Sequence, residues 1–67
     1  MHCYAFMLDG ETTYFRLVQP ILEYDANRMT MIMIAADRAV AAGHLSLSDA
    51  SRGSWVVAAS VGIPIEI

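Results

Sequence analysis

The amino-acid sequence predicts an α+β fold, in which a β-hairpin precedes a long helix, a shorter helix and an extended C-terminal tail. Two runs of apolar, β-prone residues flank Asp9-Gly10, a dipeptide typical of tight turns. A segment with helical periodicity follows and runs to Gly43. The tail alternates apolar and polar residues around Pro64, a pattern that suits a third strand.

The hairpin is predicted over residues 2–8 and 12–18. Both runs are rich in aromatic and β-branched residues, and Asp-Gly tolerates the positive φ angles of hairpin turns. With a two- or four-residue loop, one face carries Tyr4, Phe6, Leu8, Phe15 and Leu17, and is the expected core side. The other face carries Cys3, Ala5, Met7, Tyr14 and Arg16. A three-residue loop shifts the register, so the sequence leaves this assignment open.

The long helix is predicted over residues 21–42. Pro20 suits the first turn of a helix, and Gly43 suits the position after its last turn. One apolar stripe repeats at spacings of three and four residues, which is the helical period. It consists of Leu22, Ala26, Met29, Met33, Ala36 and Val40. We expect this stripe to pack against the hairpin.

A second apolar surface, nearly opposite that stripe, predicts an oligomer interface on the long helix. It consists of Tyr24, Met31, Ile34 and Ala35, with Arg38 at its border. A helix that is apolar on two sides is buried on two sides. We therefore expect a second copy of the chain to cover this surface.

The shorter helix is predicted from Ser46 or Ser48 to about Val61. Its second half includes several valines with high strand propensity, so a strand in this segment is the alternative. In the tail, residues 63–67, Pro64 allows only a strand edge or an extended segment. This tail pairs either with the hairpin of its own chain or with the sheet of a neighbour.

Length and composition predict one small domain that associates with other chains. A core built from 67 residues is marginal without a disulfide, a metal or a partner. Cys3 is the only cysteine, and two histidines are too few to indicate a structural metal. Apolar residues make up 57% of the chain and charged residues 16%, against about 25% charged in most globular proteins. This apolar surplus predicts a homo-oligomer or an obligate protein partner.

Charge and segment length argue against two other classes of partner. The net charge is −3, and the four basic residues are dispersed arginines, whereas nucleic-acid binding needs a clustered basic patch. Neither long apolar stretch reaches the ~20 residues that span a bilayer, and the first residues do not resemble a secretory signal. We therefore expect a cytoplasmic protein that binds neither nucleic acid nor membranes.

No combination of residues in the sequence indicates catalysis. His2 and Cys3 are adjacent on a predicted strand, so their side chains point to opposite faces and do not form a nucleophile–base pair. His44 is expected to be an exposed histidine beyond the end of the helix. Phosphate-binding loops, zinc-ligand spacings and serine-nucleophile motifs are not found in the sequence. We expect no enzymatic activity, no cofactor and no metal site.

Trp55 and Arg52 are the candidate partner-binding residues. Tryptophan and arginine are the residue types that most often anchor protein interfaces. Both lie away from the main apolar side of the predicted shorter helix. A core tryptophan that closes one end of the fold is an equally good interpretation of Trp55.

The sequence therefore predicts a non-enzymatic protein-binding module, a homo-oligomeric stoichiometric regulator or inhibitor. Small acidic proteins of this kind are common among phage and mobile-element products that block host machinery, and this association favours an inhibitor. A small structural subunit of a larger complex is one alternative. The other is a protein that binds a small ligand at an oligomer interface near Arg28, Arg38 or His44.

Overall fold

A computed structural model describes residues 3–18, 27–59 and 62–67 of the chain. The described elements are β1 (Cys3–Leu8), β2 (Glu11–Arg16), α1 (Arg28–Ala41), α2 (Leu47–Arg52), β3 (Ser54–Ala58) and β4 (Ile65–Glu66). The four strands form one sheet in the order β3-β1-β2-β4. The α+β class is confirmed, with the hairpin, the long helix and the shorter helix in the predicted order.

The strands β1 and β2 form the predicted hairpin through a two-residue turn. The φ angles of Asp9 and Gly10 are 51° and 80°, and two positive values are what a type I′ turn requires. Tyr4 pairs with Phe15, as expected for the two-residue loop. The predicted core side is confirmed, because Tyr4, Phe6, Phe15 and Leu17 are all buried.

The helix α1 begins later than predicted. Asn27 has an extended backbone and caps the helix, its side-chain oxygen accepting a hydrogen bond from the Thr30 N–H at 2.9 Å. The prediction of one continuous helix over residues 21–42 is therefore wrong. The missed signal was Asn27 itself, since asparagine is among the best N-cap residues. The first part of the predicted helix, residues 21–26, lies outside the described residues.

The end of α1 lies where the sequence predicted it. Gly43 has a φ angle of 81°, in the left-handed region that favours glycine. The N–H of Gly43 donates to the Val40 carbonyl, and the N–H of His44 donates to the Ala39 carbonyl, each at 3.0 Å. This pair of hydrogen bonds is a Schellman motif, which satisfies carbonyls that the last turn would otherwise leave unpaired.

The side of α1 that faces the sheet is not the predicted stripe. Ala35 and Ala39 are completely buried against the sheet. The partly buried helix residues that pack there are Met31, Ile32 and Ile34. Met29 and Met33 of the predicted stripe are instead 66% and 60% exposed. The helix therefore packs on the sheet with the side that was predicted to form the oligomer interface. Periodicity locates the apolar sides of a helix, but it does not show which side has side chains small enough to pack closely on aromatic strands.

The helix α2 is short, and β3 replaces the second half of the predicted helix. The hydroxyl of Ser46 accepts a backbone hydrogen bond at 3.1 Å, which confirms the first of the two predicted starts. The helix ends at Arg52 because Gly53 is extended. Residues 54–58 then pair antiparallel with β1. The prediction of a helix to Val61 is wrong, and the strand alternative is confirmed over these five residues.

The strand β4 pairs within its own chain, parallel to the outer side of β2. Glu66 lies beside Arg16, and their side chains form an ion pair. The Ile67 N–H donates to the Arg16 carbonyl and the Ile67 carbonyl accepts from the Val18 N–H, both at 2.8 Å. Of the two predicted roles for the tail, addition to the hairpin of its own chain is confirmed.

The core lies between α1 and one face of the sheet. The first core cluster consists of Tyr4, Leu17 and Ala35, and the second of Phe6, Phe15 and Ala39. Trp55 and Ile67 pack against both clusters. The core therefore draws on β1, β2 and β3 and on Ile67, which follows β4, so the tail contributes to the packing as well as to the sheet. Within the described ranges, no helix is long and apolar enough to cross a membrane.

Candidate protein-binding surface

Trp55, a candidate partner-binding residue, lies on the core side of β3. Its ring centroid is 4.7 Å from that of Phe6 and 5.7 Å from that of Phe15. The indole N–H is buried and has no hydrogen-bond partner among the residues that the structure describes. A buried tryptophan N–H normally finds a partner in a core as well as at an interface, so the ring contacts and not the N–H bear on the choice. The packing therefore agrees with the interpretation of Trp55 as a core residue.

Arg52, the other candidate, lies at the end of α2 beside the hairpin turn. Its guanidinium is 3.3 Å from a carboxylate oxygen of Asp49 and 3.4 Å from both carboxylate oxygens of Asp9. These groups are exposed, and exposed ion pairs contribute only about 0.2–1 kcal/mol each. Arg52 thus joins the hairpin turn to α2, whereas Trp55 packs into the core. The structure does not bring the two candidates together on one surface.

The predicted oligomer interface on the long helix is largely used inside the chain. Ala35 is completely buried, and Met31 and Ile34 pack against the first core cluster. These three side chains do not form a free apolar surface, which corrects the prediction and follows from the side with which α1 packs on the sheet. Arg38 is half-buried, and Tyr24 lies outside the described residues.

Among the ionisable residues that the structure describes, Tyr4 is the one whose pKa the fold clearly shifts. It is almost completely buried, between α1 and the sheet. Burial raises the pKa of its phenol above the usual 10.0, and the nearby positive charge of Arg38 opposes this increase in part. The neutral phenol is therefore the form that the fold stabilises, as expected for a structural tyrosine.

The residues proposed for small-ligand binding do not converge. Arg28 begins α1, and its guanidinium donates to the Val57 carbonyl at 3.2 Å. His44 follows the other end of the helix, exposed as predicted, with its ring centroid 6.1 Å from that of Phe15. The fourteen residues of α1 separate the two ends by roughly 20 Å at 1.5 Å per residue. One chain therefore offers no compact ligand site from Arg28 and His44 together.

Cys3 is a buried free thiol, and the other member of the His2–Cys3 pair lies outside the described residues. Across residues 3–18, 27–59 and 62–67, no group of three or more His, Cys, Asp and Glu side chains is placed to hold a metal ion. The potential metal-binding and nucleophilic side chains of the described residues are thus dispersed and form no common site.

The face of the sheet opposite α1 carries an apolar surface, which we call the open face. Strand pairing and the alternation of side chains place its residues there. They are Cys3, Ala5 and Met7 from β1, Thr12 and Tyr14 from β2, and Ser54, Val56 and Ala58 from β3. Arg16 and Glu66, paired with each other, border it on the side of β4.

Polar residues of the open face lie on β2 and β3, as Thr12, Tyr14 and Ser54, whereas the central strand between them contributes none. An antiparallel strand with one solvated side normally alternates apolar and polar residues. The central strand β1 instead places Cys3, Ala5 and Met7 on this side. Neither core cluster includes a side chain from the open face, and Met7 and Val56 are each 38% exposed. Cys3 and Ala5 are nevertheless buried, at 7% and 8% exposure, so the exposed apolar part of the open face is formed by Met7 and Val56.

The sequence contained the signal for the open face. All six residues of β1, CYAFML, are apolar, and an unbroken apolar strand is typical of one that is covered on both sides. The predicted hairpin register places the correct residues on this face, whereas the predicted apolar interface lies on the helix. Comparisons with protein-family models, with curated proteins and with solved structures gave no match to the chain.

Proposed function

We propose that the chain is a non-enzymatic, cytoplasmic protein-binding module that self-associates through the open face and acts as a stoichiometric regulator or inhibitor. The observation that carries this proposal is the central strand β1, which is apolar on both sides and leaves Met7, with Val56 beside it on β3, 38% exposed on the side away from α1. Burial of the second side against a protein surface would remove that apolar area from water, at about 25 cal/mol per Å².

The accessible surface of the chain also supports association. It measures 4589 Å², whereas a compact monomer of this mass, 7.3 kDa, exposes about 4,200 Å². A stable interface buries about 800 Å² on each partner, or roughly a sixth of this surface. The open face, with its borders, is the apolar part of the sheet from which such an interface can be built.

A second copy of the chain is the occupant that suits the open face best. Two sheets pack face to face at about 10 Å, and this spacing favours small residues at the centre, where β1 supplies Cys3 and Ala5. The charges at the border, Arg16 and Glu66, already compensate each other. The open face is therefore compatible with a two-fold interface in which the same surface is used twice.

The test is the mass of the protein in solution, compared between two matched variants. Met7→Glu introduces a charge into the open face, and Met33→Glu introduces the same charge on the exposed side of α1. We expect light scattering at micromolar concentration to give twice 7.3 kDa for the natural chain and for Met33→Glu, and 7.3 kDa for Met7→Glu. Circular dichroism should show that both variants remain folded.

Two outcomes would overturn the proposal. A natural chain with a mass of 7.3 kDa under these conditions would exclude self-association. A Met7→Glu variant that remains dimeric, while Met33→Glu dissociates, would move the interface from the open face to α1.

A small structural subunit of a larger complex is the second candidate. It is favoured by large apolar side chains exposed on the helices, namely Met29, Met33 and Leu47, the last of which is 74% exposed. Sedimentation of the isolated chain separates the two functions. A discrete soluble dimer supports the regulator, whereas aggregates that dissolve when Met29 and Met33 are both replaced by glutamate support the subunit.

A further inference from the structure

We propose that β4 exchanges between the two copies of the dimer, so that the outer edge of β2 accepts residues 65–67 of the second copy. This inference rests on the self-association proposed above and specifies how the two copies are joined. Three observations carry it: the weak attachment of β4, the close fit of its residues to the edge of β2, and the order of strands in the sheet.

The two residues of β4 are weakly attached to their own chain, and the core contacts of the tail are those of Ile67, the residue after the strand. The strand has two residues, and the backbone hydrogen bonds beyond it are the two made by Ile67. The ion pair of Glu66 with Arg16 is exposed, and Ile65 is 37% exposed. Segments with few buried contacts and exposed hydrogen bonds open at a small fraction of the global free energy of unfolding. The edge of β2 therefore becomes accessible without loss of the whole fold.

The residues that fit this edge are those of the tail itself. Ile67 packs against both core clusters, and Glu66 lies opposite Arg16. A strand that competes for this edge must run parallel to β2, with an acid at the position of Glu66 and an apolar residue at the position of Ile67. A second copy of the chain carries the same residues in the same order, so it fits the edge equally well.

The order of strands makes the exchange geometrically short. Within one chain, β3 and β4 lie at opposite edges of the sheet, three strand spacings or about 14 Å apart. Suppose that two open faces pack around a two-fold axis parallel to the strands. The partner's strands then lie in reverse order, so the partner's β4 position is above β3, at a sheet separation of about 10 Å.

The connection between β3 and β4 is long enough for this path. Six residues, 59–64, lie between the two strands, and six residues reach at most about 20 Å. The two-fold axis preserves strand direction, so an exchanged tail would still run parallel to the β2 that receives it. Exchange thus replaces each contact of the tail with the same contact in the partner.

A disulfide at the ion-pair position distinguishes exchange from pairing within one chain. Cysteines replace both partners, Arg16→Cys and Glu66→Cys, and Cys3→Ala removes the natural thiol. Residues paired on neighbouring strands lie close enough for a disulfide. After oxidation by oxidised glutathione at the concentration where the natural chain is dimeric, we expect a non-reducing denaturing gel to show a covalent dimer. A band at 7.3 kDa, from a disulfide within one chain, would overturn the exchange.

Charge reversal provides a second measurement that needs no cysteine. Arg16→Glu and Glu66→Arg each place like charges together, but a mixture of the two variants restores both ion pairs if the tails exchange. We expect native mass spectrometry to show the mixed dimer in roughly fivefold excess over random pairing. Random pairing of dimers would refute the exchange and leave self-association intact, whereas monomers of the natural chain would refute both.

Discussion

Tyr4 lies at the centre of the contact between the sheet and α1. It pairs with Phe15 on one neighbouring strand and with Val57 on the other. It also packs with Ala35 of α1, which has no exposed surface. A phenol in this position is separated from water on all sides, so its ionisation is opposed by the surrounding structure.

The stability of the protein should therefore fall in alkaline solution. Burial raises the pKa of Tyr4 in the folded chain above 10.0, its usual value in an unfolded chain. As the pH rises, Tyr4 loses its phenolic proton in the unfolded chain first. The contribution of neutral Tyr4 to the free energy of unfolding is therefore complete below pH 10.0 and is lost as the pH rises through the pKa of Tyr4 in the folded chain. Urea unfolding between pH about 8 and about 11 should show this loss.

Two variants test the assignment to Tyr4. Tyr4→Phe should remove the loss above pH 10.0, while Tyr14→Phe, which changes the open face, should retain it. An unchanged alkaline loss in Tyr4→Phe would assign it to another group.

Gly53 decides how α2 and β3 are joined. It follows the last residue of α2 and has extended angles that any residue adopts, so its role is not conformational. A Cβ atom at this position would overlap the ring of Phe6 and lie 2.9 Å from the Met7 carbonyl oxygen. The absence of a side chain lets the junction approach the central strand, which is a second reason for glycine besides turn formation.

Gly53→Ala should destabilise the protein by about 2–3 kcal/mol, because the overlap forces the ring of Phe6 or the strand to move. Urea denaturation gives the change in the free energy of unfolding. Combined with Phe6→Leu, which makes room beside the junction, the same substitution should cost less, and a double-mutant cycle measures this coupling. A loss below about 0.5 kcal/mol for Gly53→Ala alone would contradict the close approach.

The elements that were predicted correctly are those determined by neighbouring residues. Asp9-Gly10 sets the turn and register of the hairpin, Gly43 ends α1, and Ser46 starts α2. The errors concern longer-range choices. Residues 54–58 are a strand because β1 offers them a partner some fifty positions away, and a local helical pattern contains no information on that partner.

The candidate surface was predicted only in part. The sequence correctly showed an apolar surplus and the residues on each face of the hairpin. It did not show that Ala35 and Ala39 would be the side chains of α1 that approach the sheet. Since that choice depends on the fit between two packed surfaces, the sequence did not show that exposed apolar side chains would lie both on the sheet, at Met7 and Val56, and on the predicted stripe of the helix.

The molecule as a whole is small for the apolar surface that it carries. Among the residues that the structure describes, eight apolar side chains are buried, six of them in two clusters of three with partly buried side chains around them. A core of this size gives only marginal stability to an isolated chain. Association through the open face would then supply part of the free energy that keeps each copy folded.

The midpoint of thermal unfolding should therefore depend on protein concentration. For a dimer that unfolds to two chains, a tenfold rise in concentration adds about 1.4 kcal/mol per dimer, or about 3–5 °C for a chain of this size. Calorimetry over two decades of concentration measures this shift. Met7→Glu should unfold at a lower temperature that does not change with concentration, and a constant midpoint in the natural chain would speak against coupled folding and association.

The central position of β1 has a consequence for synthesis in the cell. This strand is made before β3, one of its two partners, whose Ala58 pairs with Cys3 across about 55 positions of the chain. The hairpin can form as soon as β2 leaves the ribosome, but β1 lacks its second partner strand until residues 54–58 have been synthesised. During that interval both faces and both edges of the hairpin are uncovered, because β3 and β4 follow later in the chain, and its apolar strands are then open to aggregation.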